Sequence, residues 1–419
     1  MNSKLVNVSK LLSANVIAQA VGLLIYPLLT RLYQPADFTL LNLFLTIANA
    51  ILIFSTADLQ FAIPLPKKDD GAYALIGAMV VSLSITISLS LISCLFCNKI
   101  AAFFGIAELE WALWYLPIYI PIAGAWQVLT YLFNREKKYG KIATYQIIQS
   151  IANSILKLAF GILGIGGLAL IDASVIGPLI ACACVAPLKI LEVVSHLRRL
   201  PTNLAKEYVL AYKDFPLYSM PKNLVCHLSN GLPVLMLTSV YGATEVGYFA
   251  LAITIGYLPL TMIASSIYQV MLKSTSDKLN EGLPIYPGIS KFCKYALLII
   301  FVTFGILYIF LPSITEFLFG PGWCKTGEIL RILLLWFSAG FLSTTLVFVP
   351  ETLLKLKGNL IIELVFIIVR IAALSYGIVN FGFLVTIKLF SLVSFGIKAF
   401  QVGWYLWIAK QNDKSLEKN

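Results

Sequence analysis

Residues 29–38 read LTRLYQPADF, and residues 237–246 read LTSVYGATEV. Leu29, Thr30 and Tyr33 coincide with Leu237, Thr238 and Tyr241, and Asp37 aligns with Glu245. Apolar residues match at the fourth and tenth places. Each copy lies between two long apolar stretches. Membrane transporters are commonly built as two related halves around a substrate path, and a motif that returns 208 residues later in the same setting fits that plan.

The composition agrees. The chain is 59% hydrophobic and 12% charged, with a mean hydropathy of +0.87. A soluble domain cannot hide that much apolar surface. The apolar runs are long and continuous, which suits spanning helices rather than barrel strands. Twelve spans are expected, at about 11–30, 39–63, 73–97, 112–133, 142–164, 167–188, 217–240, 247–271, 292–312, 329–349, 360–379 and 383–408. The start, MNSKLVNVSK, is short and basic, and no cleavable signal peptide is expected. Connectors are short, so no soluble catalytic domain fits and no enzyme activity is expected.

With a cytoplasmic N-terminus, 22 Lys and Arg fall in inside segments and four (Arg31, Lys99, Lys325 and Arg331) in outside loops. This asymmetry places both termini in the cytoplasm. It also explains the net charge of +11 by contact with anionic headgroups rather than with nucleic acid. Seven cysteines and two histidines form no zinc-type spacing, so neither metal nor cofactor is expected.

The repeat pairs span one with span seven and span two with span eight. Six spans separate them, so both halves keep one orientation. The expected fold is an all-α polytopic membrane protein: an N-terminal six-helix bundle (1–190), a cytoplasmic connector (191–216) and a C-terminal six-helix bundle (217–419) around a central cavity.

Polar residues recur at helical spacing in the paired spans. They include Asn15 and Gln19 in span one, Asn42, Thr46 and Asn49 in span two, Ser219, Asn223, His227 and Asn230 in span seven, and Thr254, Tyr257 and Thr261 in span eight. Span five adds Gln146, Gln149, Asn153 and Lys157. Such stripes avoid lipid, and they serve either as interhelical hydrogen bonds or as the wall of a hydrophilic cleft. Five cations lie within spans (Lys157, Lys222, Arg370, Lys388 and Lys398) against three acids, Asp58, Asp172 and Glu363. Lys222 and Lys388, near span ends, have snorkelling as an alternative. Arg370 and Glu363, seven residues apart, have a structural ion pair. A cleft with this bias attracts an anion such as phosphate or pyrophosphate, and the three acids are candidates for coupling a proton or sodium ion. Pro27, Pro233 and Pro259 kink the paired helices.

The stretches YPLLTRLYQPADFTLLNLFLTI (26–47), FNREKKYGKIATYQIIQSI (133–151) and FPLYSMPKNLVCHLSNGLPVLMLTSVYGATEVGYFALAITIGYLPLTMIASSIYQVM (215–271) resemble Wzx-type O-antigen flippases. These belong to the multidrug/oligosaccharidyl-lipid/polysaccharide exporter superfamily. The resemblance implies two bundles around a cation-lined cavity in the bacterial inner membrane. It implies a lipid-linked oligosaccharide substrate, with a polysaccharide polymerase and a chain-length regulator as candidate partners; the alternatives are a peptidoglycan lipid precursor flippase or drug exporter of the same superfamily, and a membrane polysaccharide polymerase or ligase. Arg31, Lys157, Lys222 and Arg370, with Lys398, become candidate contacts to pyrophosphate or acidic sugars. The polar stripes (Asn15, Gln19, Asn49, Asn153, Asn223, Asn230 and Tyr257) become candidate contacts to sugar hydroxyls.

Overall fold

The computed structural model describes residues 17–416. These residues are mostly helical, joined by short turns, with no strand among them. Twelve principal helices run along the described chain: α1 (Ile17–Leu32), α2 (Pro35–Thr56), α3 (Asp69–Cys94), α4 (Leu116–Arg135), α5 (Tyr139–Ile162), α6 (Leu168–Val185), α7 (Met220–Tyr241), α8 (Ala243–Asn280), α9 (Tyr286–Phe319), α10 (Cys324–Leu346), α11 (Leu356–Asn380) and α12 (Phe383–Leu416). Each overlaps one expected span. Ten are long and apolar enough to cross a membrane by themselves. Of the other two, α1 is described over 16 residues only, and α5 is diluted by its Gln, Asn and Lys stripe. The chain is an all-α polytopic membrane protein.

The two copies of the repeat occupy the same place in this order. Each closes one helix and opens the next. In the first, Pro35 stands in the opening turn of α2, and Asp37 accepts a hydrogen bond from the Gln34 backbone amide at 2.8 Å. Proline loses nothing there, because the first amides of a helix have no partner in the turn before. The carboxylate also sits at the positive end of the helix dipole. In the second copy, Gly242 adopts φ 82°, a conformation open to glycine, and Glu245 stands in the first turn of α8.

The described residues form two compact units, the first ending at Gly247 and the second beginning at Tyr248. Helix α7 packs within the first unit, against α2, although the repeat assigns it to the second half. A packing unit and a repeat unit are thus different divisions of this chain. The connector expected at 191–216 is helical, as the end of Pro187–Leu197, then Thr202–Ala211 and a π-turn at Phe215–Ser219. Val193 of the first and Tyr208 of the second pack on α3.

Between helices in lipid there is little hydrophobic drive, so close packing and hydrogen bonds decide contacts. Two glycines show it. Gly177 of α6 lets the Asn153 amide of α5 press against the backbone, and Gly231 of α7 gives Thr46 of α2 the space a side chain would fill. Of the three expected proline kinks, the one at Pro27 coincides with a break in the helix. The helix turns at Ile25, and Tyr26–Leu32 restarts with Pro27 in its first turn. Pro233 and Pro259 lie inside α7 and α8.

Candidate functional site

In the first unit, α2 and α7 run antiparallel along their whole length. The Thr39 hydroxyl donates to the Ala243 carbonyl at 2.6 Å, and a His227 ring nitrogen lies 3.2 Å from the Thr46 carbonyl. At the far end, Asp58 accepts from the Ser219 hydroxyl at 2.9 Å and from the Asn223 amide at 2.6 Å. Its second oxygen takes the Gln60 amide at 3.3 Å. Asp58 is 2% exposed. It and Ala57 both hold left-handed backbone, with φ 58° and 49°, a conformation Asp tolerates better than most residues. The turn that ends α2 therefore carries a carboxylate under the π-turn that opens α7. The polar stripes of spans two and seven meet each other here.

The α5 stripe lies beside α6. The side-chain amide oxygens of Gln146 and Asn153 are buried without a donor among the described residues, as is that of Gln127 on α4. An acceptor shielded from water in this way costs about 1–3 kcal/mol until a donor arrives. Lys157 follows one turn after Asn153. It is half-buried, five residues or about 8 Å from the end of α5, and no carboxylate among the described residues pairs with it. The Tyr33 hydroxyl donates to its carbonyl at 2.7 Å, tying α5 to the end of α1. Asp172 is half-buried on α6 and bonds the Tyr115 hydroxyl. Asn49 accepts from Tyr119 at 3.3 Å.

Gln19, Arg31, Lys222 and Asn230 are exposed, and Asn15 lies outside the described residues.

The second unit holds a different arrangement. Arg370 is 3% exposed. Its guanidinium stands 5.0, 4.7 and 4.6 Å from the ring centres of Trp336, Phe366 and Phe390. Desolvated cation–π contacts are worth about 2 kcal/mol or more, which offsets the burial of the charge. Tyr257 stacks on Trp336 at 6.0 Å and completes the wall. The firm ion pair of Glu363 is with Lys398, at 2.8 Å, rather than with Arg370 on its own helix. The reason is reach: α12 brings the Lys398 ammonium across Phe366, 4.5 Å from its ring centre. Gln401 donates to both Glu363 (2.8 Å) and Asn359 (2.9 Å) and accepts from Ser343 (2.6 Å). Tyr405 donates to Asn359 at 2.7 Å. Gln401, Asn359 and Tyr405 were missed from sequence. Their signal was present, since Asn359 and Glu363 are four apart and Lys398, Gln401 and Tyr405 follow at three and four.

A further cluster lies on the short helix Pro187–Leu197, outside the spans. Lys189, 7% exposed, is bonded by Glu136 and, at 2.6 Å, by Glu192. Tyr73 donates to Glu192 at 3.0 Å, and His196 stacks on Tyr73 with centroids 4.3 Å apart. Burial disfavours the Lys189 charge, but the hydrogen bonds to Glu136 and Glu192 outweigh it and raise the ammonium above its ordinary value. The same Lys189 bond lowers Glu192. Among the described residues no group of His, Cys, Asp and Glu is arranged to hold a metal.

Comparison with known proteins adds family and fold. A family described as "Polysaccharide biosynthesis protein" matches residues 28–327. The succinoglycan biosynthesis transport protein ExoT of Rhizobium meliloti (strain 1021) is 19% identical over 392 residues, covering 93% of this chain and 76% of that protein. Among solved structures, the lipid II flippase MurJ in an inward closed conformation superposes with a TM-score of 0.74 at 14% identity, covering 96% of this chain and 88% of that one. An inward-facing multidrug resistance MATE family transporter of the MOP superfamily gives 0.67 at 14%, covering 99% of both chains. The last two show a shared fold.

Proposed function

Because the chain belongs to the polysaccharide biosynthesis protein family, we propose that it is a flippase for lipid-linked oligosaccharide. It carries undecaprenyl-pyrophosphate-linked O-antigen or other polysaccharide repeat units from the cytoplasmic to the periplasmic leaflet of a bacterial inner membrane. It works by alternating access, with both termini cytoplasmic, and performs no covalent chemistry. The name of its relative, a succinoglycan transport protein, supports a polysaccharide cargo.

The observation that carries the reading is the α5 stripe. Lys157 lacks an acid, and Gln146 and Asn153 lack donors, on one helical face. A pyrophosphate supplies the anion, and sugar hydroxyls supply the donors. A small apolar cation supplies neither. In this conformation the amide oxygens are shielded, so the cargo reaches them when the helices part. Asp58, Asp172 and Glu363 remain the candidates for ion coupling, since inward movement of one charge releases about 2.3 kcal/mol per 100 mV. Arg370, held among aromatic rings, acts on the cargo only in a conformation that opens its cage.

The test is replacement of Lys157 and Arg370 singly by Ala in cells lacking the native copy, at equal protein level. Surface polysaccharide falls and the lipid-linked precursor accumulates. Normal polymer from both variants removes these residues from the mechanism.

A further inference from the structure

Within the second unit, α9, α10 and α12 enclose an apolar trough of about 850 Å³. Leu297, Ile300, Phe301 and Phe304 of α9 form its length. Arg331 of α10 and Lys388 of α12 stand at one end, with Glu328 beside them. The Arg331 guanidinium lies 5.2 Å from the ring centre of Tyr308. Among the described residues neither cation pairs with a carboxylate, Glu328 included.

Depth follows from helix geometry. Lys388 is five residues into α12 and Arg331 seven into α10, or about 8 and 10 Å below their starts. From Tyr308 to Leu297 the trough runs eleven residues, about 16 Å. That is half of a hydrocarbon core of about 30 Å, the depth of one leaflet. Helix α9 is poorly covered, with Phe301 79% exposed. Two cations at this depth, beside a single acid, are costly unless an anion meets them.

We propose that this trough binds one anionic phospholipid, its phosphate between Arg331 and Lys388 and one acyl chain along α9. Charge complementarity favours this occupant over a second copy of the chain, whose helices would bring apolar surface to the two cations and no phosphate. The site is separate from the α5 stripe and stands whether or not the cargo reading holds.

Native mass spectrometry of the full chain, purified in mild detergent and titrated with phosphatidylglycerol or phosphatidylcholine, tests it. The wild type retains phosphatidylglycerol about tenfold more strongly, and the R331Q/K388Q double variant loses the preference. A second variant, Gly305→Leu, adds bulk to the trough wall without removing either charge; a Cβ at this position meets open space. It weakens retention of phosphatidylglycerol while the protein stays monodisperse. A control, K273Q/K278Q on α8, leaves the preference intact. Equal retention of both lipids by the wild type, an unchanged preference in R331Q/K388Q, or a dimer of the chain that closes this face overturns the proposal.

Discussion

The carboxylate of Asp58 accepts the side-chain amide of Asn223 at 2.6 Å, across 165 residues of sequence. The bond joins the end of α2 to the beginning of α7. The same two helices meet again at Thr46 and Gly231, and Thr39 of α2 reaches Ala243, the first residue of α8, just beyond the end of α7. One antiparallel seam thus links a helix from each copy of the repeat inside a single packing unit. A change of conformation that separates the halves has to loosen this seam or carry it along.

Asn223→Ala leaves a buried carboxylate with one donor fewer. Apparent stability in detergent is expected to fall by about 1–3 kcal/mol, read as a lower midpoint of thermal unfolding. Asp58→Asn tests coupling separately: if Asp58 carries the coupling ion, transport by this variant no longer responds to an imposed pH or sodium gradient, although the protein accumulates normally. Retained gradient dependence would assign Asp58 to structure alone.

Gly231→Val drives a branched side chain into Thr46. Overpacking of this kind costs about 1–3 kcal/mol, and the variant is expected to unfold at lower temperature. Thr46→Ala in the same chain restores part of the loss, because it returns the volume. If the double variant is no more stable than Gly231→Val, the two helices do not meet at these residues.

The Lys189 cluster sets a pH window. Lys189 is raised, so its contribution is complete below the ordinary lysine value of 10.5 and is lost as pH rises through the folded value. Glu192 is lowered, so its contribution is present above the ordinary 4.5 and is lost as pH falls through the folded value. Lys189→Met removes both and leaves Glu136 with Lys138 alone. Between pH 5 and 10 the wild type should unfold at higher temperature than Lys189→Met, with the gap narrowing toward acid. A gap that stays constant from pH 3 to 8 contradicts the assignment.

Lys398→Met strands Glu363 beside Gln401. Removing one partner of this half-buried pair is expected to cost about 1–3 kcal/mol, while K398M/E363Q is expected to recover most of it. Equal unfolding midpoints for the single and double variants would show that Glu363 does not need the ammonium.

Much of this was legible in the sequence because the membrane imposes it. Long apolar runs marked the helices, and the repeated LTxxY motif marked the joints between α1 and α2 and between α7 and α8. Lys157 showed itself by its i, i+4 relation to Asn153. The partners of the buried charges were less legible. Helical spacing tells which residues share a face, so Arg370 and Glu363 looked like mates. It does not tell which residue a neighbouring helix brings across, and Lys398 arrives from α12 over Phe366. Likewise, nothing in the local pattern marks Asp58 as the acceptor for Ser219 and Asn223, because that bond depends on how α7 crosses α2. The aromatic cage of Arg370 draws on three helices, and only Phe366, four residues before it on α11, carries a spacing signature.

The most direct test is translocation by the purified protein. Proteoliposomes carrying undecaprenyl-pyrophosphate-linked oligosaccharide in the inner leaflet are incubated with an external glycan-cleaving enzyme, and the fraction cleaved is followed with time. Cleavage is expected to exceed that of protein-free liposomes and to drop sharply with Lys157→Ala. Cleavage at the same rate with and without the protein, under every imposed ion gradient, would contradict the proposed flippase function.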